Sequence, residues 1–375
     1  MRVLGEWLHH PGTQALCATL AAGGFQALFV GGCVRNALLA EPVNDIDMAT
    51  DARPEIVSDL AKRAGFRVVP TGIDHGTVTV IAQGVAHEVT TFRQDVDTNG
   101  RHAVVRYSTL VADDAARRDF TMNALYARAN GEVVDPLGGL PDLVARRVRF
   151  VGNADLRITE DYLRILRFFR FFAWYGDPAQ GVDAEGLAAC AAHSAGIATL
   201  SRERVGAEFR KLLSAPDPSL AVASMAQAGV LAAALPGANA RALPLVVHFG
   251  ADSWVARLAV LGGEVETLRL SRGDLAAIKI IREEIGSLRS AQELGYRHGQ
   301  KRAEQVIRCR AAMLETELPE NWKADVAKGA AAVFPVKAAE LIEAYQGKAL
   351  GEQLRCLEHR WIASGFALTK AELLG

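Results

Sequence analysis

Two aspartates one residue apart, Asp45 and Asp47, follow a paired glycine, Gly31-Gly32, after twelve intervening residues. Alternate side chains of an extended strand share a face, so Asp45-Ile46-Asp47 would present both carboxylates on one side. Such a pair suits magnesium, which prefers oxygen ligands, takes only one or two carboxylates and leaves its other positions to water and substrate phosphates. Upstream, Ala27 to Val30 reads as a short apolar strand running into Gly31-Gly32, where the missing Cβ lets a backbone approach phosphate closely. Arg35 falls in the first turn of the helix expected next, whose N-terminus attracts anions. Taken singly, paired glycines mark a turn and an Asp-x-Asp pair caps a helix or faces solvent. Together they describe a site for a nucleoside triphosphate, with Gly31, Gly32 and Arg35 on the phosphates and Asp45 and Asp47 on metal ions.

The elements that must hold these residues are legible in outline. The first 140 residues mix helix and strand signals, and almost everything after Asp142 reads helical, with Asp135 to Leu140 as the break between the two. Thr77 to Ile81 and His87 to Phe92 are short and rich in β-branched residues, with Gly84 in the turn between them, and would extend a small sheet around the aspartates. Alternation in the second strand places Glu88, Thr90 and Phe92 on one face, so Glu88 is a candidate third carboxylate for the metals or an ordinary rim residue. Between Arg93 and Arg106 the polar segment centred on Gly100 suits a mobile loop over the substrate. From Thr159 to Phe172 the spacing predicts one helix, with Asp161, Arg164, Arg167 and Arg170 along one drifting stripe and Ile165, Phe168, Phe169 and Phe172 as core. Leu200 to Arg204 opens another helix with Ser201 as N-cap and an apolar face at Val205, Phe209 and Leu212-Leu213.

Composition agrees with a large enzyme of two or more domains, since half of the 375 residues are apolar. The stretch from Ala15 to Val30 is broken by Gly23-Gly24 and Gln26, so neither a secretory signal nor a spanning helix is expected and the chain reads as cytoplasmic, without a membrane partner. Five scattered cysteines with no Cys-x-x-Cys pair argue against a zinc site or a disulfide framework. A net charge of −1 means that basic surface for an RNA partner must be concentrated locally. It is concentrated between 101 and 170, where twelve arginines outnumber nine acidic residues without one lysine. Arginine reads planar acceptors and phosphates with a fixed, always charged fork.

In order along the chain, Gly31-Gly32 with Asp45-Ile46-Asp47, then Arg117-Arg118-Asp119-Phe120-Thr121-Met122-Asn123-Ala124, then Glu160-Asp161-Tyr162-Leu163-Arg164-Ile165-Leu166-Arg167 resemble the class II CCA-adding tRNA nucleotidyltransferases and the related bacterial poly(A) polymerases, within the polymerase β superfamily. The resemblance is strong from 27 to about 215 and weaker beyond. It implies an α+β chain: a nucleotidyltransferase head with a small mixed sheet (1–140), a helical neck that recognises the base (141–215), and a helical body and tail that grip the tRNA elbow (216–375). It implies two magnesium ions, ATP and CTP as substrates, and the tRNA 3′ end as acceptor. It places Arg117 near the nucleotide, makes Arg118, Asp119 and Asn123 ribose and site-shaping contacts, and turns Arg167 and Arg170 to the triphosphate or to support of the base-reading pair. One departure is Asn36, where the family usually carries an aspartate. The segment from Thr71 to Thr77, with His75, resembles a stretch beside the family's active site.

The same resemblance makes Asp161 and Arg164 the readers of the base. Cytosine and adenine both offer an amino donor beside ring acceptors. An ionised Asp161 can accept from the amino group while Arg164 donates to the acceptors, whereas uracil and guanine put a repelled carbonyl opposite the carboxylate. Three other readings share much of the pattern: a poly(A) polymerase, an enzyme adding only the A or only the two C residues, and a non-catalytic RNA-binding protein on the same fold.

Overall fold

The computed structural model describes residues 1–73, 76–99 and 102–375, so His75 and the Gly100-Arg101 part of the expected loop lie outside the described residues. The chain forms two compact units, Met1–Pro236 and Gly237–Gly375. The first holds a seven-stranded mixed sheet built from β1 (Leu28–Val30), β2 (Ile46–Thr50), β3 (Arg67–Gly72), β4 (Thr77–Ala82) and β5 (Val85–Thr91). β6 (Arg93–Asn99) and β7 (His102–Tyr107) pair apart as a two-stranded ribbon, and β8 (Tyr126–Ala127) and β9 (Val133–Val134) return to the main sheet, whose order is β3-β4-β5-β2-β1-β8-β9. The ribbon replaces the loop expected between Arg93 and Arg106. Its first strand carries none of the apolar alternation by which strands are recognised.

β2 lies at the centre of the sheet, antiparallel to β1 and parallel to β5, with Asp47 opposite Glu88 and Ala49 opposite Thr90. Residues opposite one another share a face, so the sheet has two distinct sides. On one, Phe29, Met48, Val80 and Val89 are buried, and helix α1 (Pro11–Ala22) adds Thr13, whose hydroxyl meets the buried His87 ring at 2.9 Å. On the other lie Asp47 and Glu88. There Leu28, Val30, Ala49 and Phe92 pack with Ala115, Ala124, Tyr126 and Val151. Helix α2 (Gly32–Leu38) links β1 to β2, α3 (Pro54–Arg63) follows β2, and α4 (Val111–Ala116) supplies Ala115.

No strand follows β9 among the described residues, as the sequence suggests. The single helix expected from Thr159 to Phe172 is two. Helix α5 (Ala154–Glu160) stops at Asp161, which is extended at φ −154°, and α6 (Leu163–Tyr175) starts anew. The apolar residues of α6 enter an aromatic stack in which the Phe120 ring lies 4.8 Å from Phe171 and 5.1 Å from Phe150, and Phe150 lies 5.3 Å from Phe168. Helix α7 (Arg202–Leu213) buries Val205, Phe209, Leu212 and Leu213 as predicted, although Ser201 at its N-cap makes no side-chain capping bond.

The second unit contains helices and turns. Helices α8 (Ala291–His298) and α9 (Trp322–Ala331) cross where only glycine fits, because a Cβ on Gly329 would sit 1.8 Å from the Gln292 carbonyl oxygen. Glu284 is buried there, and although burial raises its pKa, hydrogen bonds from Arg289, His298 and Ser287 outweigh that and bring it down to about 2. The five cysteines are free and four of them are buried. No described helix is long and apolar enough to cross a membrane.

Phe168 is fully buried and touches rings on both sides. Phe168→Ala is therefore expected to cost about 3–5 kcal/mol of unfolding free energy, read from urea denaturation of parent and variant.

Candidate active site

Gly31 ends β1 with φ +69°, a conformation that glycine adopts without steric cost. A Cβ here would also lie 3.3 Å from Arg118 Nη1. Asp47 is the second residue of β2, half-buried, and Asp45 stands exposed immediately before the strand. Asp47 has its pKa raised by burial first and then by Glu88, with a smaller push from Asp45, while Arg118 and Arg35 pull it down. Asp47 thus feels two further carboxylates, a setting suited to a cation. Among the described residues no three His, Cys, Asp or Glu side chains, Asp45, Asp47 and Glu88 included, form a group that could hold a metal ion. Magnesium does not require three such ligands, since it binds through one or two carboxylates plus water and phosphate oxygens.

The arginine-rich segments come together beside these carboxylates. A polar cleft of about 300 Å³ is lined by Arg117, Arg118, Asp119, Asn123, Asp161, Arg164 and Arg167, together with Leu163 and Arg204. Seven predicted residues from two stretches of sequence, 117–123 and 161–167, therefore share one cavity. Asp119 is buried and accepts from Arg167 Nε at 2.8 Å, from the Asn123 amide at 3.1 Å and from the Phe120 backbone N–H at 2.9 Å. Burial raises its pKa, but Arg167 and these hydrogen bonds more than reverse that and hold it below the ordinary carboxylate range. Arg118 is fixed by Asp114 at 3.0 Å and by the Tyr126 hydroxyl at 3.0 Å. Asp114 also takes Arg117 at 3.0 Å.

The two base-reading candidates take separate partners. Asp161 is bound by Arg204 of α7, at 2.7 Å. Arg164 bonds Glu160 and the Arg157 carbonyl oxygen, the latter at 2.7 Å. Because the chain breaks at Asp161, the two side chains leave different elements and meet at the cleft wall instead of along one helix. Arg170 is outside this cleft, paired with the buried Glu208 at 2.6 Å. Arg35 is likewise no open phosphate hand. It is buried, and four of its five donors are taken: Nε by Asn36, Nη1 by Asn123 at 2.7 Å, and Nη2 by both Asn36 and the Tyr175 hydroxyl at 2.8 Å. Its guanidinium also lies 4.0 Å from the Tyr175 ring centroid.

Asn36 does two jobs at once. Its Oδ1 accepts from Arg35, and its Nδ2 donates to the Pro42 carbonyl oxygen at 2.8 Å. An aspartate could take the first role but not the second. Asp114, Tyr126, Tyr175, Arg204 and Glu208 are the site residues that sequence reasoning missed. Arg204 and Glu208 lie in the helix already singled out, but the apolar pattern that marks it says nothing of either.

Comparison with known proteins follows the same outline. Residues 27–149 match the model of the poly A polymerase head domain, and 182–241 match that of a probable RNA and SrmB-binding site of polymerase A. A mitochondrial CCA tRNA nucleotidyltransferase 1 from Danio rerio is 40% identical over 209 residues, 56% of this chain and 48% of that protein. A CCA-adding enzyme from Oceanobacillus iheyensis is 42% identical over 209 residues, 55% of this chain and 50% of that one. These matches thus span about half the length of the relatives. The Bacillus stearothermophilus CCA-adding enzyme in complex with CTP superposes with a TM-score of 0.78 at 27% identity, covering 96% of this chain and 94% of that one. The Thermotoga maritima CCA-adding enzyme complexed with tRNA shares the fold at a TM-score of 0.73 and 19% identity, over 100% and 97% of the two chains.

The lowered pKa of Asp119 has a consequence for stability. A carboxyl that is more acidic when folded contributes stability that is complete above its unfolded pKa, near 3.9, and lost as pH falls through the folded value. Thermal unfolding of the parent should therefore weaken steadily below about pH 4. Asp119→Asn should show a shallower loss over the same range, and an identical slope would mean that Asp119 carries no charge in the fold.

Proposed function

We propose that the chain is a class II tRNA nucleotidyltransferase that adds C, C and A to the 3′ end of tRNA, using CTP and ATP without a nucleic-acid template, a reading supported by the matching head model and the likeness to CCA-adding enzymes. The observation that carries this reading is the single polar cleft that gathers the Arg117 to Asn123 segment and the Asp161 to Arg167 segment beside the carboxylates of β2 and β5. The reaction is attack by the acceptor 3′-hydroxyl on the α-phosphorus of the nucleotide, with the bond to pyrophosphate breaking in line.

Asp45 and Asp47 would hold magnesium, with Glu88 as a third carboxylate beside them. When bound, the metal supplies charge stabilisation at the phosphate and lowers the pKa of the attacking hydroxyl. Gly31 and Gly32 keep the backbone clear for the phosphates, and Arg118 supplies positive charge next to them. The Arg35 fork braces the turn, with one N–H remaining for a phosphate oxygen. Arg117, Asn123 and Asp119 shape the sugar side of the cleft. Asp161 and Arg164 select the base by the amino-donor rule that admits cytosine and adenine, with Arg204 holding Asp161 until the amino group replaces it. Arg167 and Arg170 support the pair from α6. In this reading 1–140 is the catalytic head, 141–215 the base-recognition neck, and 216–375 binds the tRNA elbow through phosphate contacts.

The test is incorporation with magnesium on tRNA transcripts ending before CCA, after the first C or after the second C, each with CTP, ATP or both. Stepwise addition that stops after A is expected. A long A tail would make the protein a poly(A) polymerase, which the name of the matching head model keeps in view. Addition of A to the CC-ending transcript alone would make it an A-adding enzyme, and addition that ends after the second C a CC-adding one. No incorporation would leave an RNA-binding protein. Asp45→Ala and Asp47→Ala should each abolish transfer with unchanged circular dichroism, and retained activity would remove the metal assignment. Arg164→Ala should lower the preference for CTP and ATP over UTP and GTP by about ten- to a hundredfold, the worth of one charged hydrogen bond. Unchanged selectivity would remove Arg164 from base reading.

A further inference from the structure

A second cleft, of about 480 Å³, opens on the other side of the Arg35 brace. Asn36 and Tyr175, two of the groups that bind the Arg35 guanidinium, form part of its wall. The third, Asn123, belongs to the first cleft. Arg35 therefore separates two cavities, and only the first carries the residues assigned above to base reading.

The second cleft has the composition of a nucleic-acid platform. Trp174 lies on its rim with 39% of its surface exposed, and the indole Nε1–H donates to the Lys211 carbonyl oxygen at 2.8 Å. An exposed ring held in place by its own polar edge is ready to stack without first losing rotational freedom. Arg170, Arg210 and Lys211 line the cleft against one carboxylate, Glu41. The floor is shared with the 41–44 stretch that leads directly to Asp45, and Asn36 ties that stretch through Pro42.

We propose that this cleft binds a nucleotide of the acceptor RNA strand, with its base stacked on Trp174 and its phosphate met by Lys211. The proposal rests on reading the protein as a nucleotidyltransferase that extends RNA. Such a reaction needs two substrates side by side, and the proposed function assigns the triphosphate to the first cleft and the carboxylates beside it. The second cleft offers one carboxylate, Glu41, among three basic side chains, with no counterpart of the Asp45 and Asp47 pair. What it does offer, an aromatic face with cations around it, is how single strands are held regardless of sequence.

The probe is a short RNA ending in CC with a 3′-deoxy terminus, which binds but cannot be extended, measured by fluorescence anisotropy against the parent protein, Trp174→Ala, Trp174→Phe and Lys211→Ala. Trp174→Ala should weaken RNA binding about tenfold, the usual loss of one stacked base. It should raise the acceptor KM in parallel and leave the KM for CTP and ATP unchanged. Trp174→Phe loses the bond to Lys211 but keeps a ring, so it should recover most of the affinity and separate stacking from folding. Lys211→Ala should flatten the dependence of RNA binding on salt. Unchanged RNA affinity in Trp174→Ala overturns the proposal, and so does a loss confined to free CTP or ATP, which would make the cleft a mononucleotide site. A parent protein that transfers nothing, while Trp174→Ala still weakens RNA binding, would sink the transferase reading and with it the acceptor role, leaving the cleft as an RNA-binding site only.

Discussion

Asp119 is a carboxylate that the fold has removed from water and must therefore keep matched, and much of the active-site side of the first unit follows from how that is done. Arg167 takes one oxygen and the Asn123 amide the other. Asn123 in turn takes Arg35, and Arg35 reaches Tyr175. Arg167 and Tyr175 both belong to α6, so the chain of bonds leaves this helix, crosses the segment after β1 and returns to the same helix. Removing one partner from such a loop leaves the others buried and unmatched, which costs far more than the net worth of a single bond. Specificity of arrangement, more than raw stability, is what a closed polar circuit of this kind supplies.

The aromatic stack under the circuit is its apolar counterpart. Phe120 follows Asp119 directly in the chain and packs on Phe171, four residues beyond Arg167. The ion pair and the ring contact therefore constrain the same two segments against each other at adjacent points, one through charge and one through dispersion and burial. A cleft whose walls come from two segments keeps its shape only if those segments are held in register, and double anchoring does that. The carboxylates on β2 and β5 are placed more simply, by strand register alone, with Asp47 opposite Glu88.

This contrast explains what could be read from the sequence. Residues whose roles depend on local geometry were legible: Gly31 at its turn, Asp47 in its strand, Glu88 facing it, and the helical stripe of Arg164 and Arg167. Contiguous runs such as Arg117 to Asn123 arrive in the cleft together because a short irregular segment cannot scatter them far. Partners recruited from distant chain were not legible. Nothing in the 111–116 region marks Asp114 as the anchor of Arg118, and nothing around Tyr175 or Glu208 announces a bond to Arg35 or Arg170. The break at Asp161 was hidden for a different reason. The apolar periodicity of Ile158, Ile165, Phe168 and Phe172 suits a continuous helix, and the chain departs from it only where Asp161 turns to accept the N–H of Leu163 and the Arg204 guanidinium.

That break changes how base reading can work. On one uninterrupted helix, Asp161 and Arg164 would be adjacent on a face and would pair with each other, each satisfying the other and leaving little for a base. In the observed arrangement each is engaged elsewhere, Asp161 by Arg204 and Arg164 by Glu160 and a main-chain carbonyl. Neither group is therefore spent on the other. An incoming base with an amino donor then competes for the Asp161 carboxylate against a half-exposed ion pair, which is worth about 0–1 kcal/mol. A base presenting a carbonyl there has nothing with which to displace Arg204. In the proposed reading, selection against the wrong base would arise from a carboxylate already matched by its arginine, which only an amino donor could replace.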